Sequence, residues 1–224
     1  MPSQPAFPAR GAATSLSTSD RRHALIQLYT LPPSGNSQKA RMALRLLNLP
    51  YEEISLVDGG QKRPDYLALN PLGQVPLLVD GDAVVRDSGA ILVYLAAAYR
   101  PGDWDGCDAA ERGRIAQWLM LAAGDVANGL ARLRLHKLFG APLDEAAAAL
   151  LGKRALSVTE TQLGDGAWLE GGRLTIADLA MAPYVALAHQ GGIDLTAYPN
   201  VSAWTARIAA LPGFPSMNGW EAMA

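Results

Sequence analysis

The stretch that decides the fold is Asn70-Pro71-Leu72-Gly73-Gln74-Val75-Pro76-Leu77-Leu78, a turn-rich loop that leads into an apolar run. Pro76 suits the first residue of a strand, because proline has no N–H to donate to the ladder. A cis Val75–Pro76 bond would turn the chain sharply and leave the N–H and C=O of Val75 facing outward, where an extended ligand could pair with them. A plain turn before a strand is the alternative, and this stretch alone does not separate the two.

Around this loop, the sequence predicts a small α/β layer. Short apolar or alternating runs predict strands over residues 24–29, 51–57, 76–79 and 83–86, the last two joined by the hairpin signal Asp80-Gly81-Asp82. Apolar residues at helical spacing predict helices over residues 37–47, 64–69 and 88–99. The resulting order, β-α-β-α-β-β-α, is that of a complete α/β layer fold.

Beyond residue 100 the composition changes. Arg100-Pro101-Gly102-Asp103 is typical of a linker, and no convincing strand follows residue 105. Ala- and Leu-rich segments over residues 109–139, 143–163, 175–188 and 197–211 predict a helical bundle. We therefore divide the chain into an N-terminal extension (1–24), an α/β domain (25–100), a linker (101–108) and an all-helical domain (109–224).

Composition and charge exclude several classes of protein. The 224 residues carry 19 basic and 21 acidic side chains, so the chain lacks the basic surface that nucleic-acid binding needs. No apolar run approaches the roughly 20 residues that span a bilayer. Cys107 is the only cysteine, which rules out an intramolecular disulfide, and metal-ligand spacings are absent. These features predict a cytoplasmic protein that uses no metal and binds neither nucleic acid nor membrane.

Two further turns could bind a charged ligand. Asp87-Ser88 precedes a predicted helix, where Ser88 is a good N-cap and Asp87 could accept a hydrogen bond from a ligand ammonium. Ser34-Gly35-Asn36-Ser37 lies ahead of the first predicted helix, where a hydroxyl backed by helix N–H groups could stabilise a bound thiolate. Helix capping alone is the alternative at both turns. Ser34 is a poor candidate for an attacking nucleophile, because no G-x-S-x-G surrounds it and the histidines form no cluster.

Taken in order, these pieces resemble the cytosolic glutathione S-transferase superfamily, in which a thioredoxin-like domain precedes an all-helical domain. The resemblance covers residues 25–215, and with a serine at position 34 it points to the bacterial serine-type (theta-, zeta- and nu-like) classes. It is carried by Leu28-Tyr29, residues 34–41, Leu49-Pro50-Tyr51-Glu52, residues 70–77, Asp87-Ser88-Gly89-Ala90-Ile91 and Leu174-Thr175-Ile176-Ala177-Asp178.

The resemblance implies a glutathione site with two catalytic residues. Ser34 would hydrogen-bond and activate the glutathione sulfur, and Asn36 lies two residues further on. Val75 would pair by its backbone with the cysteinyl part of glutathione, and Pro76 would be the family's cis-proline. The other implied glutathione-binding residues are Gln61, for the glycyl carboxylate, Gln74, and the pair Asp87 and Ser88, for the γ-glutamyl ammonium and carboxylate.

Three functions stay open on this site. In the first, a glutathione thiolate attacks a small electrophilic, largely apolar acceptor, as in the family's transferases. In the second, the same thiolate attacks a disulfide and Asn36 helps to hold the sulfurs, because a hydroxyl residue followed by Asn at this spacing resembles the bacterial disulfide-reducing classes. In the third, the chain is a non-catalytic binding or partner module. Glutathione is the expected co-substrate, and the resemblance implies a homodimer.

Three basic side chains near the end of the first long helix are also candidates for the site. Arg132, Arg134 and His136 could contact an acidic acceptor or the ligand. Their spacing equally suits a solvated helix face, which is the interpretation we favour from the sequence.

Overall fold

One four-stranded sheet organises the first half of the chain. The computed structural model describes residues 25–221, so the predicted N-terminal extension lies outside the described residues. The strands are β1 (Ile26–Thr30), β2 (Tyr51–Ser55), β3 (Leu77–Asp80) and β4 (Ala83–Arg86). Their order in the sheet is β2-β1-β3-β4, with β1 parallel to β2 and the other two pairs antiparallel. This is a thioredoxin-like sheet, as predicted.

Three helices complete this half and confirm the predicted order. They are α1 (Gly35–Leu46), α2 (Pro64–Leu69), which follows a 3₁₀ turn at Gly60–Lys62, and α3 (Ser88–Tyr99). Two boundaries differ from the sequence prediction. Helix α1 begins at Gly35 rather than at residue 37, because Ser34 already caps it. Strand β3 begins after Pro76, which has no N–H for the ladder.

The second half of the described chain is helical, as predicted. Its elements are α4 (Ala109–Leu121), a π-helical segment (Ala122–Ala131), α5 (Arg132–Phe139), α6 (Glu145–Gly164), α7 (Ile176–Ala186), a 3₁₀ turn (Ala188–Gly191) and α8 (Pro199–Ala209). The single α-helix expected over residues 109–139 is thus interrupted by a π-helical segment. In this segment Gly129 meets Gly152 of α6 so closely that a Cβ would overlap the Gly152 backbone. The domain boundaries at residues 100 and 108 stay predictions.

Helix α7 is anchored by a buried carboxylate. The predicted capping box is present: Thr175 is the N-cap, and the Asp178 carboxylate accepts a hydrogen bond from the Thr175 N–H at 2.9 Å. The same carboxylate accepts from the Leu169 N–H at 3.1 Å and from the Trp204 indole at 2.9 Å. Burial raises the pKa of Asp178 to about 6 against these donors. One side chain therefore joins α7, α8 and the preceding loop.

One apolar core runs through both halves. Buried residues from the sheet layer, such as Leu28 and Leu92, belong to the same cluster as Ile115, Val126 and Trp204 of the helical half. The two halves therefore exclude water from each other along α1, α3 and α7. Within residues 25–221, no helix is both long enough and apolar enough to cross a membrane.

Candidate active site

Four chain segments meet at one edge of the sheet. Thr30 lies opposite Ser55 in the parallel pair, so the segments that follow β1 and β2 leave at the same edge. Leu77 lies opposite both Tyr29 and Arg86, so the segments before β3 and after β4 also emerge there. These four segments carry every predicted site residue: Ser34, Asn36, Gln61, Gln74, Val75, Pro76, Asp87 and Ser88.

Ser34 is the half-buried N-cap of α1. Its Oγ accepts a hydrogen bond from the Ser37 N–H at 3.1 Å, and its own N–H donates to the Leu31 carbonyl at 3.1 Å. Because Oγ acts as the acceptor towards Ser37, its proton stays available for a ligand. The positive end of the α1 dipole lies behind it. The arrangement suits a small anion in front of the helix.

The loop before β3 presents the backbone of Val75. The Val75–Pro76 bond is cis, the first of the two alternatives that the sequence left open. The carbonyl of the preceding Gln74 is held by the Tyr66 hydroxyl at 2.5 Å and by the Asn70 side-chain amide at 2.7 Å. Within the described chain, Val75 itself has no partner in the strand ladders. The loop is therefore fixed from one side, and the Val75 backbone is left for another partner.

The start of α3 corrects one prediction. Asp87, not Ser88, is the N-cap, because its Oδ1 accepts from the N–H groups of Gly89 at 2.8 Å and Ala90 at 3.2 Å. Ser88 is the first helical residue, and its Oγ donates to the Asn36 Oδ1 at 3.3 Å. An ionised carboxylate is the stronger acceptor for these N–H groups, and Asp87 takes a positive φ of 75°. The Asn36–Ser88 bond ties the α1 and α3 sites together.

Gln61 lies in the 3₁₀ turn after β2. Its carbonyl comes within 3.2 Å of where a Cβ would stand at Gly73, so the turn packs against the loop that precedes β3. Gly73 also has a φ of +60°, which together with this close approach requires glycine. The Gln61 Oε1 is buried and, among residues 25–221, has no hydrogen-bond partner. Buried polar atoms are normally paired, so a ligand could complete the hydrogen bonding of this side chain.

Some of these residues line a common cavity and others lie beside it. Asn36, Asp87 and Ser88 line a cavity of about 130 Å³ between the two halves. Ser34, Gln61 and the Val75 turn occupy the same sheet edge outside this lining. The part of the chain that the structure describes contains no group of three or more His, Cys, Asp or Glu side chains suited to a metal ion.

The helical half contributes an arginine that corrects the prediction of a solvated face. Arg134 of α5 is only 4% exposed. Its Nη1 donates to the Pro33 carbonyl at 2.7 Å and its Nε to the Gln190 Oε1 at 2.6 Å. Since Pro33 precedes Ser34, the helical half holds the loop that carries the cap of α1. No local pattern indicates this contact, which joins residues 101 positions apart.

The two neighbouring basic residues behave differently. Arg132 is exposed, as predicted, and donates to the Pro142 carbonyl at 3.0 Å. His136 is half-buried, with Nδ1 at 2.8 Å from the Ala141 carbonyl and Nε2 at 3.0 Å from Glu145. Both contacts lie within the helical half, so neither side chain is drawn towards the sheet edge.

Two more buried polar residues stand behind the N-terminus of α1. Tyr184 of α7 packs on Gly35, where a Cβ would lie 2.7 Å from the ring. Burial raises the pKa of Tyr184, and the N–H groups of Asn36 and Gly35 counteract this rise. Lys39 is 4% exposed, with its ammonium 5.6 Å from the centre of the Tyr184 ring. Lys39 lies three residues after Asn36 on the same face of α1, a spacing that suits an exposed helix face as well as a site, so the sequence does not single it out.

A thioredoxin-like sheet with a cis-proline turn at its edge, followed by a helical half, is the architecture of the glutathione S-transferase class. The family model for the glutathione S-transferase N-terminal domain matches residues 28–116, and the model for the C-terminal domain matches residues 143–212. The chain therefore belongs to the glutathione S-transferase family, and the predicted enzyme of glutathione transferase type is confirmed.

Named relatives cover most of the chain. Glutathione S-transferase 3 of Zea mays is 34% identical over 84% of this chain and 91% of its own length. The disulfide-bond oxidoreductase YfcG of Escherichia coli is 31% identical over 84% of this chain and 92% of its own. A crystal structure of a glutathione transferase homologue from Drosophila mojavensis, with bound glutathione, superposes with a TM-score of 0.75 at 30% identity, covering 84% of this chain and 89% of that one.

Proposed function

We propose that this chain binds glutathione at the sheet edge and activates its thiol for attack on a small electrophilic, largely apolar acceptor. The observation that carries the proposal is Ser34, whose Oγ accepts from the Ser37 N–H and keeps its own proton free at the N-terminus of α1. The glutathione bound to the Drosophila mojavensis homologue supports the choice of co-substrate.

The proposed chemistry starts with the loss of the thiol proton. A free thiol has a pKa of about 8.5, and the thiolate is the species that attacks. The Ser34 hydroxyl donates to the sulfur, and this bond together with the α1 dipole favours the thiolate and lowers the thiol pKa. A hydrogen bond to a charged group contributes about 1.5–3 kcal/mol, or roughly one to two pKa units. The proton leaves to solvent, and a sulfur–carbon bond forms as the acceptor's leaving group departs with its electron pair.

The rest of the sheet edge would hold the tripeptide. The free backbone of Val75 pairs with the cysteinyl residue, as a short added strand does. The second oxygen of Asp87, the one that caps no N–H, accepts from the γ-glutamyl ammonium, and Ser88 faces the γ-glutamyl carboxylate. The amide N–H of Gln61 donates to the glycyl carboxylate, and the buried Gln61 Oε1, which is an acceptor, takes a ligand N–H. Gln74 lies beside the cysteinyl residue.

The test compares Ser34→Ala with Ser34→Thr in conjugation of an activated aryl halide. We expect Ser34→Ala to lower kcat by about 10- to 100-fold and to raise the pKa of the bound thiol, because one donor to a charged atom is lost. Ser34→Thr keeps the hydroxyl and should recover part of the rate. Ser202→Ala, an exposed serine on α8, is the control.

The affinity for glutathione separates catalysis from capping. Ser34→Ala also removes an N-cap, which costs about 1 kcal/mol of stability, so the unfolding midpoint must be measured alongside. If Ser34→Ala weakens glutathione binding as much as it lowers kcat, or leaves the thiol pKa unchanged, Ser34 is not the activating group.

A second candidate function, the reduction of a disulfide, is favoured by Asn36. Asn36 lines the interdomain cavity, and its Oδ1 is held by Ser88, which leaves its amide N–H groups for a ligand. The likeness to YfcG supports the same chemistry. The thiolate would attack one sulfur and release the other as a thiolate. A second glutathione then resolves the mixed disulfide, so that two glutathione thiols are oxidised for each disulfide reduced.

Asn36→Ala and Ser88→Ala test this candidate as a pair, because both break the Asn36–Ser88 bond and only the first removes the amide. A selective loss of disulfide reduction in Asn36→Ala, relative to aryl-halide conjugation, supports it. If the ratio of disulfide reduction to aryl-halide conjugation is the same in Asn36→Ala and in Ser88→Ala, the candidate is contradicted.

The homodimer and the cytoplasmic location also stay proposals, supported by the family resemblance. Sedimentation equilibrium of the full chain tests the first: we expect the mass of two chains, and the mass of a single chain would contradict it. Cell fractionation tests the second.

A further inference from the structure

Lys39 is a buried cation without a direct ion pair. It is 4% exposed, and among residues 25–221 it forms neither an ion pair nor a hydrogen bond, although the charge of Asp87 acts on it from a distance. The Tyr184 ring lies 5.6 Å from its ammonium. An unpaired buried charge is expensive, and burial accordingly lowers the pKa of Lys39 to about 8.

Lys39 lines the cavity between the two halves. Lys39, Asn36, Asp87, Ser88 and Gly89 form one side of this 130 Å³ space, and small or apolar residues of α4, α7 and the π-helical segment form the other. Among the described residues that line this cavity, Lys39 is the only cation and Asp87 the only anion. No further charged group from the described elements packed around Lys39 shifts its pKa: α3 contributes Asp87, and α7 contributes the neutral Tyr184 ring.

The N-terminus of α3 is a poor anion site on its own. Asp87 already takes the N–H groups of Gly89 and Ala90 with one carboxylate oxygen. The Ser88 hydroxyl proton is given to Asn36. A ligand carboxylate at this helix end therefore finds the Ser88 N–H as its remaining donor and Asp87 as a negative neighbour, so a nearby positive charge would strengthen its binding.

We propose that Lys39 binds the α-carboxylate of the γ-glutamyl residue of glutathione and completes an anion subsite whose helix N–H groups are taken by Asp87. This inference rests on the proposed function, because it takes glutathione as the ligand. The Lys39 ammonium approaches the carboxylate from within the domain interface, while Asp87 accepts from the neighbouring ligand ammonium. Binding then neutralises a charge that the free protein keeps buried.

If Lys39 binds the carboxylate, the affinity for glutathione should depend on pH, and the variants Lys39→Arg and Lys39→Met should change this dependence differently. Below pH 8 the free lysine is charged and ready to bind. Above pH 8, the neutral lysine must take up a proton from solution when the ligand binds, so the affinity falls as the pH rises. Lys39→Arg stays charged throughout and should keep the affinity while losing this part of the pH dependence. Lys39→Met is uncharged and close in shape, so it should fold but bind weakly.

The experiment measures the affinity of the full chain for S-methylglutathione, which has no thiol to titrate, by calorimetry from pH 6.5 to 9. We expect Lys39→Met to raise Kd at least about tenfold at pH 7, and Lys39→Arg to stay within about threefold. Lys153→Met, an exposed lysine on α6, is the matched control. The second ligand is the same peptide with 4-aminobutyryl in place of γ-glutamyl, which lacks only the α-carboxylate.

The outcomes separate the Lys39 subsite from the proposed function. Equal affinity of wild type and Lys39→Met for S-methylglutathione overturns the Lys39 subsite and leaves the proposed function intact. An equal loss of affinity for both ligands in Lys39→Met overturns it too, because the lysine would then not contact the missing carboxylate. Absence of binding to the wild type at every pH overturns the proposed function itself.

Discussion

The sheet edge and the helical half build their polar contacts in opposite ways. At the sheet edge most interactions are local: Ser34 caps the helix that follows it and Asp87 caps the next one, while the Asn36–Ser88 bond is an exception. In the helical half they join distant segments, as Asp178 does to Trp204 and Arg134 to Pro33. Local contacts leave donors and acceptors facing outward for a ligand, whereas long-range contacts consume them. The difference is consistent with a proposed ligand site on the sheet edge and its support behind it.

The largest loss of stability is expected when the buried carboxylate of Asp178 in the helical half is removed. Asp178→Ala leaves the N–H groups of Thr175 and Leu169 and the Trp204 indole without an acceptor. Buried donors without partners cost about 1–3 kcal/mol each, so we expect the unfolding free energy to fall by about 4 kcal/mol in urea titrations.

Asp144→Ala is the matched control for this loss. Asp144 is also an N-cap, of α6, but it is exposed, and within residues 25–221 its side chain accepts only from the Ala147 N–H. Its removal should cost about 1 kcal/mol. Similar losses in the two variants would show that the buried network adds nothing to ordinary capping.

A smaller loss of stability is expected when Arg134, which joins the helical half to the sheet edge, is replaced. Arg134→Met removes the bonds to Pro33 and Gln190 and leaves the Pro33 carbonyl without that donor. We expect a loss of about 3 kcal/mol in unfolding free energy, together with a fall in kcat that exceeds any change in glutathione affinity, because Ser34 loses its support. Arg134→Lys should recover stability better than kcat, since one ammonium cannot make both bonds in the same geometry.

Steady-state kinetics and denaturant titration of both Arg134 variants provide the check. An exposed arginine, Arg132→Met, serves as the control. Unchanged kcat in an Arg134→Met protein that is destabilised would confine the role of Arg134 to folding.

The smallest expected effect is a gain in stability, on removal of the Lys39 charge. The pKa of Lys39 is about 8 in the folded chain, below the ordinary 10.5, so the unfolded chain binds more protons between these values. Unfolding free energy should therefore rise with pH from about 8 to 10.5, and Lys39→Met should be more stable than wild type at pH 7 by about 2 kcal/mol.

Urea titrations without ligand at pH 7, 8.5 and 10 measure this gain, with Lys153→Met as the control. A Lys39→Met protein less stable than wild type at pH 7 would contradict the picture of an unpaired buried charge. The gain should disappear when glutathione is saturating, because the ligand carboxylate then stabilises the wild type.

Much of the sheet edge could be predicted because its signals are local. Pro76, with the turn residues before it, indicates both a strand start and the turn that precedes it, and the spacing from Thr175 to Asp178 indicates a capping box. The choice of Asp87 over Ser88 as N-cap could not be predicted, since both residue types cap helices and the backbone angle at Asp87 decides between them. The functional roles of the predicted site residues stay predictions, and the variants above test those of Ser34 and Asn36.

The order of strands and helices and the family follow from the sequence, because hydrophobic period, capping and turn chemistry act within a few residues. The cis state of the Val75–Pro76 bond was one of two alternatives until the structure was known. The packing of the two halves shows that Arg134 is buried against the loop before Ser34, and that Lys39 lines a cavity without a direct ion pair to any residue within 25–221. Whether a charged side chain on a helix meets water or another segment depends on how the helices pack. That packing is set by the sum of many long-range contacts, which no local pattern records.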